Sequence, residues 1–302
     1  MATKRIIVSG ASGFLGRFIV EGLLAQGYNV LALSRHKPSE DFFSQPVAFK
    51  QIALSDMEYN PEDFHGYDGF VHTAFHHEQG KYRGGEGDRP EEFQLHNHDG
   101  SMALFNAVKR AGVERVVFLS SRAVYGVQEP GACLVETLEP KPDTLYGSVK
   151  FRTEQALCKL SDENFLPIIL RATGVYGPVK PPLRDKWQDL FEVFETGKKI
   201  EPRVGTEVHG EDLAGAINTL LAAKSDELVN VAATENAPIF NLSDILLDRR
   251  ELLDTYAKLK GLNDVELPAI ADARTYNAMD CSRLNALGWQ PRGILDLSYL
   301  DK

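Results

Sequence analysis

Cysteine is scarce in this chain: three residues in 302, Cys133, Cys158 and Cys281, an odd number at spacings that match no metal-binding pattern. They read as reduced thiols, which excludes a disulfide framework and points to a cytoplasmic setting. Positive charge is also short. Lys and Arg total 33 against 43 Asp and Glu, a net charge of −10, which argues against nucleic acid or an anionic membrane as the main partner. No apolar run approaches the length of a membrane span. The basic start, Lys4-Arg5, leads into an apolar stretch that breaks at Ser9-Gly10, too soon for a signal peptide. No internal repeat or low-complexity tract interrupts the chain. What remains is an ordinary globular composition, 43% hydrophobic and 25% charged, long enough for one large α/β domain or a domain with a lobe.

The first signal is at the beginning. Arg5-Ile-Ile-Val-Ser-Gly10-Ala-Ser-Gly13-Phe-Leu-Gly16 reads as an apolar strand, a glycine-rich turn and an amphipathic helix carrying Phe14, Leu15, Phe18, Ile19, Leu23 and Leu24. Gly10 permits the tight turn, Gly13 lets a pyrophosphate approach the backbone, and Gly16 allows close packing of helix on strand. The helix N-terminus offers free N–H groups and a positive dipole end to phosphates.

Strands are expected at Val30–Leu33, Gln51–Leu54, Gly69–His72, Val116–Leu119 and Pro167–Leu170, with helices near Ser101–Ala111 and Leu145–Leu160. Such alternation of apolar strands and helices predicts α/β architecture: a doubly wound parallel sheet (Rossmann) over residues 1–176, with a smaller C-terminal substrate lobe over 177–302 interleaved with the sheet. The site then lies at the carboxyl ends of the strands, where Gly10, His72, Ser121 and Thr173 converge. In the second part, Phe240-Asn-Leu reads as a strand, Leu246–Lys260 as a helix, and Trp187, Leu190, Phe191 and Phe194 mark a further helix. Residues 76–90, polar and Gly-rich, read either as a cover over the site or as plain surface chain.

The chemistry is carried by Ser121, Tyr146 and Lys150. Tyr146-x-x-x-Lys150 puts a phenol and an ammonium on one face of a helix. A nearby ammonium favours the phenolate, so the Tyr can exchange a proton well below its free pKa of about 10. Ser121, where a strand runs into a loop, can donate to the same substrate oxygen. Together they supply what hydride transfer at a carbinol or carbonyl requires.

With these residues in view, the chain resembles the extended short-chain dehydrogenase/reductase family, the NAD(P)-dependent sugar epimerase/dehydratase group. The resemblance rests on Gly10-x-x-Gly13-x-x-Gly16, Ser120-Ser121-x-x-Val-Tyr-Gly126, Tyr146-x-x-x-Lys150, Asn97 at the head of Asn-x-x-Gly-Ser, Val208-x-x-x-Asp212-Leu-Ala and Leu287-Gly-Trp-x-Pro291. It implies that Tyr146 is the acid/base, that Lys150 also holds the nicotinamide ribose, and that Ser121 binds the reacting oxygen. It further implies a cofactor lying along Ser12, Phe14, Leu15, Ser34, Arg35, Asp56, Met57, Ala74 and Asn97, the last with a structural and relay role. Asp56 reads equally as a helix N-cap.

Departures from the family pattern narrow the expectation. No acid ends the second strand; Ser34-Arg35 stands there, so NADP is favoured over NAD if Arg35 meets a 2′-phosphate rather than solvent. Arg122-Ala123 replaces the Asp-Glu of the dehydratases. Arg122, Arg171 and Arg203 then suggest an anionic small substrate, with surface or structural ion pairs as their plain alternative. His72 reads as a site-wall residue packed near the cofactor, and no metal is expected at His72, His76 and His77. The leading reading is an NAD(P)-dependent oxidoreductase on a sugar-like or hydroxy/keto substrate. The alternatives are a nucleotide-sugar epimerase using the same three residues and, more remotely, an NADP(H)-sensing non-enzyme. A homodimer built on the helices near 101–111 and 145–160 completes the expectation, with Val149, Leu157 and Leu160 either supplying its apolar contacts or packing inward on the sheet.

Overall fold

The computed structural model describes residues 4–77, 85–181, 184–233, 237–263 and 265–301. Its centre is a seven-stranded, wholly parallel sheet in the order β3-β2-β1-β4-β5-β6-β9, formed by Ala48–Gln51, Asn29–Ser34, Arg5–Ser9, Gly69–His72, Arg115–Ser121, Leu166–Ala172 and Ile239–Leu242. The order reverses beside β1, which places the switch-point crevice at the end of β1 and β4.

Strand residues alternate between two cores, because successive side chains leave opposite faces of the sheet. Ile6, Val8, Val117, Leu119, Ile168 and Leu170 pack with helices α1 (Phe14–Ala25) and α6 (Gly210–Ala222). Ile7, Val116, Phe118 and Ile169 pack on the other face with α3 (Ser101–Arg110) and α4 (Leu145–Cys158). Helix α2 (Pro90–Gln94) runs into α3 through a π-helical turn, Leu95–Gly100.

The chain beyond β6 builds a second, three-stranded sheet in the order β10-β8-β7, from Ile245–Asp248, Val204–His209 and Gly174–Tyr176. Helices α5 (Gln188–Glu195) and α8 (Arg249–Lys260) cover it, around Tyr176, Trp187, Phe191, Phe194, Leu253 and Tyr256. Helix α9 (Ser282–Ala286) lies against β9, and α7 (Ser225–Ala232) packs on α9.

Three expectations are corrected. The third strand is Ala48–Gln51, three residues earlier than its apolar Ile52–Leu54 stretch suggests, because the ladder with β2 ends at Gln51 while Ile52 and Leu54 are buried past the strand's end. Residues 246–248 form a strand before the helix begins. Val149 and Leu157, expected as apolar subunit contacts, are instead fully buried inside the chain, and Leu160 is partly buried against the core that holds Leu157. Part of the polar segment read as a cover, residues 78–84, lies outside the described residues.

A buried ion pair locks α4 to the sheet. Arg171, on β6, donates to both oxygens of Glu154 on α4, at 2.7 to 3.3 Å, and both side chains are only 2% exposed. Ser120 on β5 donates to the same carboxylate. The plain alternative for Arg171, a structural ion pair, is therefore the correct one. Removing one partner of a buried pair leaves an uncompensated charge and costs about 3–5 kcal/mol. Glu154→Gln is expected to lose stability of that order in urea denaturation, and Glu154→Leu with Arg171→Met together to lose less than either change alone.

Candidate active site

The glycine turn is built as its residue types require. Gly10 has a φ of +70°, a backbone shape that L side chains avoid, and a Cβ there would come within 2.8 Å of Thr73 Oγ1 and 2.7 Å of the Ala74 backbone nitrogen. A Cβ on Gly16 would press into the Gly10–Ala11 backbone, 2.7 Å from Ala11 Cα. Gly13 is the N-cap of α1, with no side chain over the first-turn N–H groups. Ser12, Phe14 and Leu15 flank it, half-buried.

Around this turn the structure brings together the carboxyl ends of β2, β3 and β4. Ser34 is buried and donates to the His36 carbonyl, 2.9 Å. Arg35 beside it is exposed, with no carboxylate partner among the described residues. After β3, Asp56 Oδ2 accepts from the Ala53 amide, 2.7 Å, and the Tyr59 hydroxyl donates to the Ala53 carbonyl, 2.7 Å. Asp56 thus closes its own turn rather than capping a helix, and Met57 inside that turn is held at φ +58°. Ala74, past β4, donates its amide to Ser9 Oγ, 3.4 Å.

His72 is a correction. It is fully buried rather than part of a site wall. Ser101 donates to the Asn97 carbonyl, 2.7 Å, so its oxygen accepts from His72 Nε2, 2.9 Å; His72 Nδ1 must then accept from Ser9 Oγ, 2.7 Å. Burial drives its pKa down to about 3, with Lys150 contributing, so the ring is a neutral link between β1, β4 and α3. Asn97 is likewise committed. Its Nδ2 donates to the His76 and Phe93 carbonyls, 2.7 and 2.9 Å, and its Oδ1 accepts from the His76 amide, 2.6 Å. Both its donors are occupied by backbone, which favours the structural half of the role expected for it.

At the end of β5, Ser121 caps the short turn Arg122–Tyr125, its Oγ accepting from the Ala123 amide at 3.2 Å. Thr144 caps α4, which sets Tyr146 and Lys150 on successive turns of one face. Lys150 is 5% exposed and donates to the Leu119 carbonyl, 2.7 Å, two residues before Ser121. Its ammonium sits 4.5 Å from the Phe75 ring centre and 4.7 Å from that of Phe118. Phe75 also meets the Tyr146 ring edge-on, 5.1 Å between centres. Phe75 thus braces both groups, a role that sequence reasoning missed; its only signal was a place beside Ala74 at a strand end.

Thr173, one residue past β6, donates to the Thr206 carbonyl, 2.7 Å, and Thr206 bonds the Tyr276 hydroxyl, 3.2 Å. The ion pair of Lys186 with Glu207 lies over Gly174. Arg122 donates to the Asn277 carbonyl, 2.8 Å, and stacks on Tyr276. Arg203 is exposed. The three arginines do not form one cluster, because Arg171 is consumed inside the core. Beyond the nucleotide edge, His76 stands beside His96 and Glu92, with ring centres of the two histidines 5.0 Å apart.

The profile of the NAD dependent epimerase/dehydratase family matches residues 6–232, and the chain belongs to that family of enzymes. It is 29% identical over 159 residues to UDP-glucose 4-epimerase of Streptomyces lividans, covering 51% of this chain and 46% of that protein. It is 30% identical over 184 residues to the human decarboxylating sterol-4-alpha-carboxylate 3-dehydrogenase, covering 60% and 47%. The chain thus matches about half the length of these relatives. Among solved structures, the UDP-glucose 4-epimerase of Thermus thermophilus in complex with NAD superposes with a TM-score of 0.75 at 25% identity, over 95% of this chain and 94% of that one.

Burial pushes Lys150 down to about 7, against an opposing pull from Glu154. Its folded pKa lies below the ordinary lysine value near 10.4, so between about pH 7 and 10 the unfolded chain binds more protons and stability rises with pH. Below pH 7 the cost of a buried ammonium is fully present. Lys150→Met is therefore expected to melt above the wild type at pH 6, by about 2–4 °C for each kcal/mol relieved, and the gap should close towards pH 10 in differential scanning calorimetry.

Proposed function

We propose that the protein is an NAD(P)-dependent oxidoreductase that moves a hydride to or from a small, sugar-like hydroxy/keto substrate, with Tyr146 as acid/base, Lys150 as its tuning cation and Ser121 holding the reacting oxygen. The observation that carries this reading is the placement of Lys150. Its ammonium is fastened to the Leu119 carbonyl, two residues before Ser121, and braced by the same Phe75 ring that meets Tyr146. A buried cation is costly, and a site that keeps one next to a phenol and a hydroxyl is equipped for proton transfer at a carbon-bound oxygen. The cofactor supplies the hydride chemistry. The chain's part is to hold the phosphates on the α1 N-terminus and to exchange the substrate proton at Tyr146 Oη.

On the lobe side, hydroxyls dominate: Thr173, Thr206 and Tyr276 in one network, with Lys186 and Glu207 neutralising each other. That lining suits a hydroxylated small molecule. An anionic substrate is left with Arg122, since Arg171 is buried and paired. The second reading, a nucleotide-sugar epimerase, is favoured by the UDP-glucose 4-epimerase relatives. Net, stoichiometric NAD(P)H formation with a non-nucleotide sugar or sugar acid supports the first reading. Conversion of a UDP-sugar to its epimer without net nicotinamide absorbance supports the second. A cytoplasmic homodimer in carbohydrate metabolism belongs to the same proposal, supported by free thiols at Cys133, Cys158 and Cys281 and by family resemblance, with a subunit contact on residues other than Val149 and Leu157.

Tyr146→Phe keeps the ring against Phe75 and removes the proton. Turnover should fall by about 10²–10⁴-fold while cofactor affinity, measured by titration calorimetry, stays within a few-fold.

NADP is favoured over NAD, on the exposed and uncompensated Arg35 beside Ser34. Arg35→Ala should weaken NADP(H) binding by about 1.5–3 kcal/mol and leave NAD(H) nearly unchanged. Equal binding of both cofactors by the unmutated protein removes the preference.

A further inference from the structure

We infer that His76, Glu92 and His96 form a binding site for a divalent transition-metal ion of the Zn²⁺ class, separate from the Ser121, Tyr146 and Lys150 group. The three residues each offer one ligand atom, and those atoms lie within 4.8 Å of one another. They are brought together by two elements. Glu92 and His96 are four residues apart on α2 and the π-helical turn that follows, so they share a helix face. His76 comes from the segment past β4, and its peptide is fixed by Asn97, whose amide grips the His76 N–H and C=O together.

The donor set has the chemistry of a metal site. Two imidazoles and one carboxylate suit zinc and its neighbours, with the remaining coordination position open to water. Tetrahedral zinc, with bonds of about 2.0–2.1 Å, wants donors about 3.4 Å apart, so side-chain rotations of under about 1.5 Å close the site. His96 Nδ1 is 4.0 Å from Glu92 Oε1, outside hydrogen-bond range. That nitrogen is buried and has no hydrogen-bond partner among the described residues. A buried polar atom without a partner carries a desolvation cost, and a bound cation removes it. Glu92 Oε2 is already bonded to Arg89, 3.1 Å, which leaves Oε1 facing the histidines. The pattern is invisible in the sequence because His76 is sixteen residues from Glu92, and the motif joins a loop to a helix. A bound ion would staple the chain leaving β4 to α2, next to the edge where Arg35 stands.

The test uses the full-length chain without an affinity tag, titrated with Zn²⁺ by calorimetry and with Co²⁺ by its visible ligand-field bands. One equivalent should bind, the Co²⁺ spectrum should report four- or five-coordination, and Zn²⁺ should raise the melting temperature. Glu92→Gln, a half-exposed position that tolerates the change, and His96→Gln should each weaken binding at least tenfold while melting, metal-free, near the unmutated protein. His65→Gln, at an exposed histidine elsewhere, should leave binding unchanged. If His96→Gln melts early, Glu92→Gln alone decides the outcome. Absence of binding at about 1 mM Zn²⁺, or binding in Glu92→Gln as tight as in the unmutated chain, overturns the site.

Discussion

The seating of α4 on the sheet rests on the contact between Glu154 and Arg171. It joins α4 to β6, and through Ser120 it joins both to β5. Tyr146 and Lys150 are carried by that helix, and Ser121 follows directly after Ser120. Three groups from two elements therefore hold their relative positions through one carboxylate. In a medium of low dielectric such a pair gains little net stability over a well-packed apolar substitute, yet it tolerates only one arrangement of the helix on the sheet. Geometry, more than stability, is what it secures for Tyr146 and Lys150.

The fold was legible in the sequence wherever apolar periodicity met punctuation. Gly69–His72 came out at its true limits, and the glycine turn was readable because Gly10 and Gly16 are dictated by backbone approach alone. The third strand was misplaced because Ile52 and Leu54 are apolar for a different reason: they are buried in the chain that follows the strand, outside its ladder. The residues missed at the site, Phe75, Glu154, Lys186 and Glu207, act across elements. Their significance lies in distances between segments far apart in the chain, which no local pattern encodes. The arginines illustrate the converse. Arg122, Arg171 and Arg203 looked alike as charges, and only burial separates the core brace from the cleft residue and the solvated one.

The relatives and the site narrow the function from different directions. The family profile fixes the family, and similarity to both an epimerase and a sterol dehydrogenase leaves its reactions open, because a fold does not by itself determine a function. In the lobe, Thr173, Thr206 and Tyr276 share one hydroxyl network, and Lys186 pairs with Glu207 beside it.

The seventh strand has a consequence for how the chain can be divided. β9 arrives only after the chain has built β7, β8, α6 and α7, yet it pairs along β6 in the main sheet. Without it, Ile169, Leu170 and Arg171 would present a bare row of amides and carbonyls at a flat, apolar sheet margin, a surface that recruits other chains. The part of the chain that builds the first six strands is therefore not a self-sufficient unit of folding. Its last strand is a loan from the other half, and a proteolytic cut or gene truncation between residues 176 and 239 would yield a fragment prone to association rather than a smaller working enzyme.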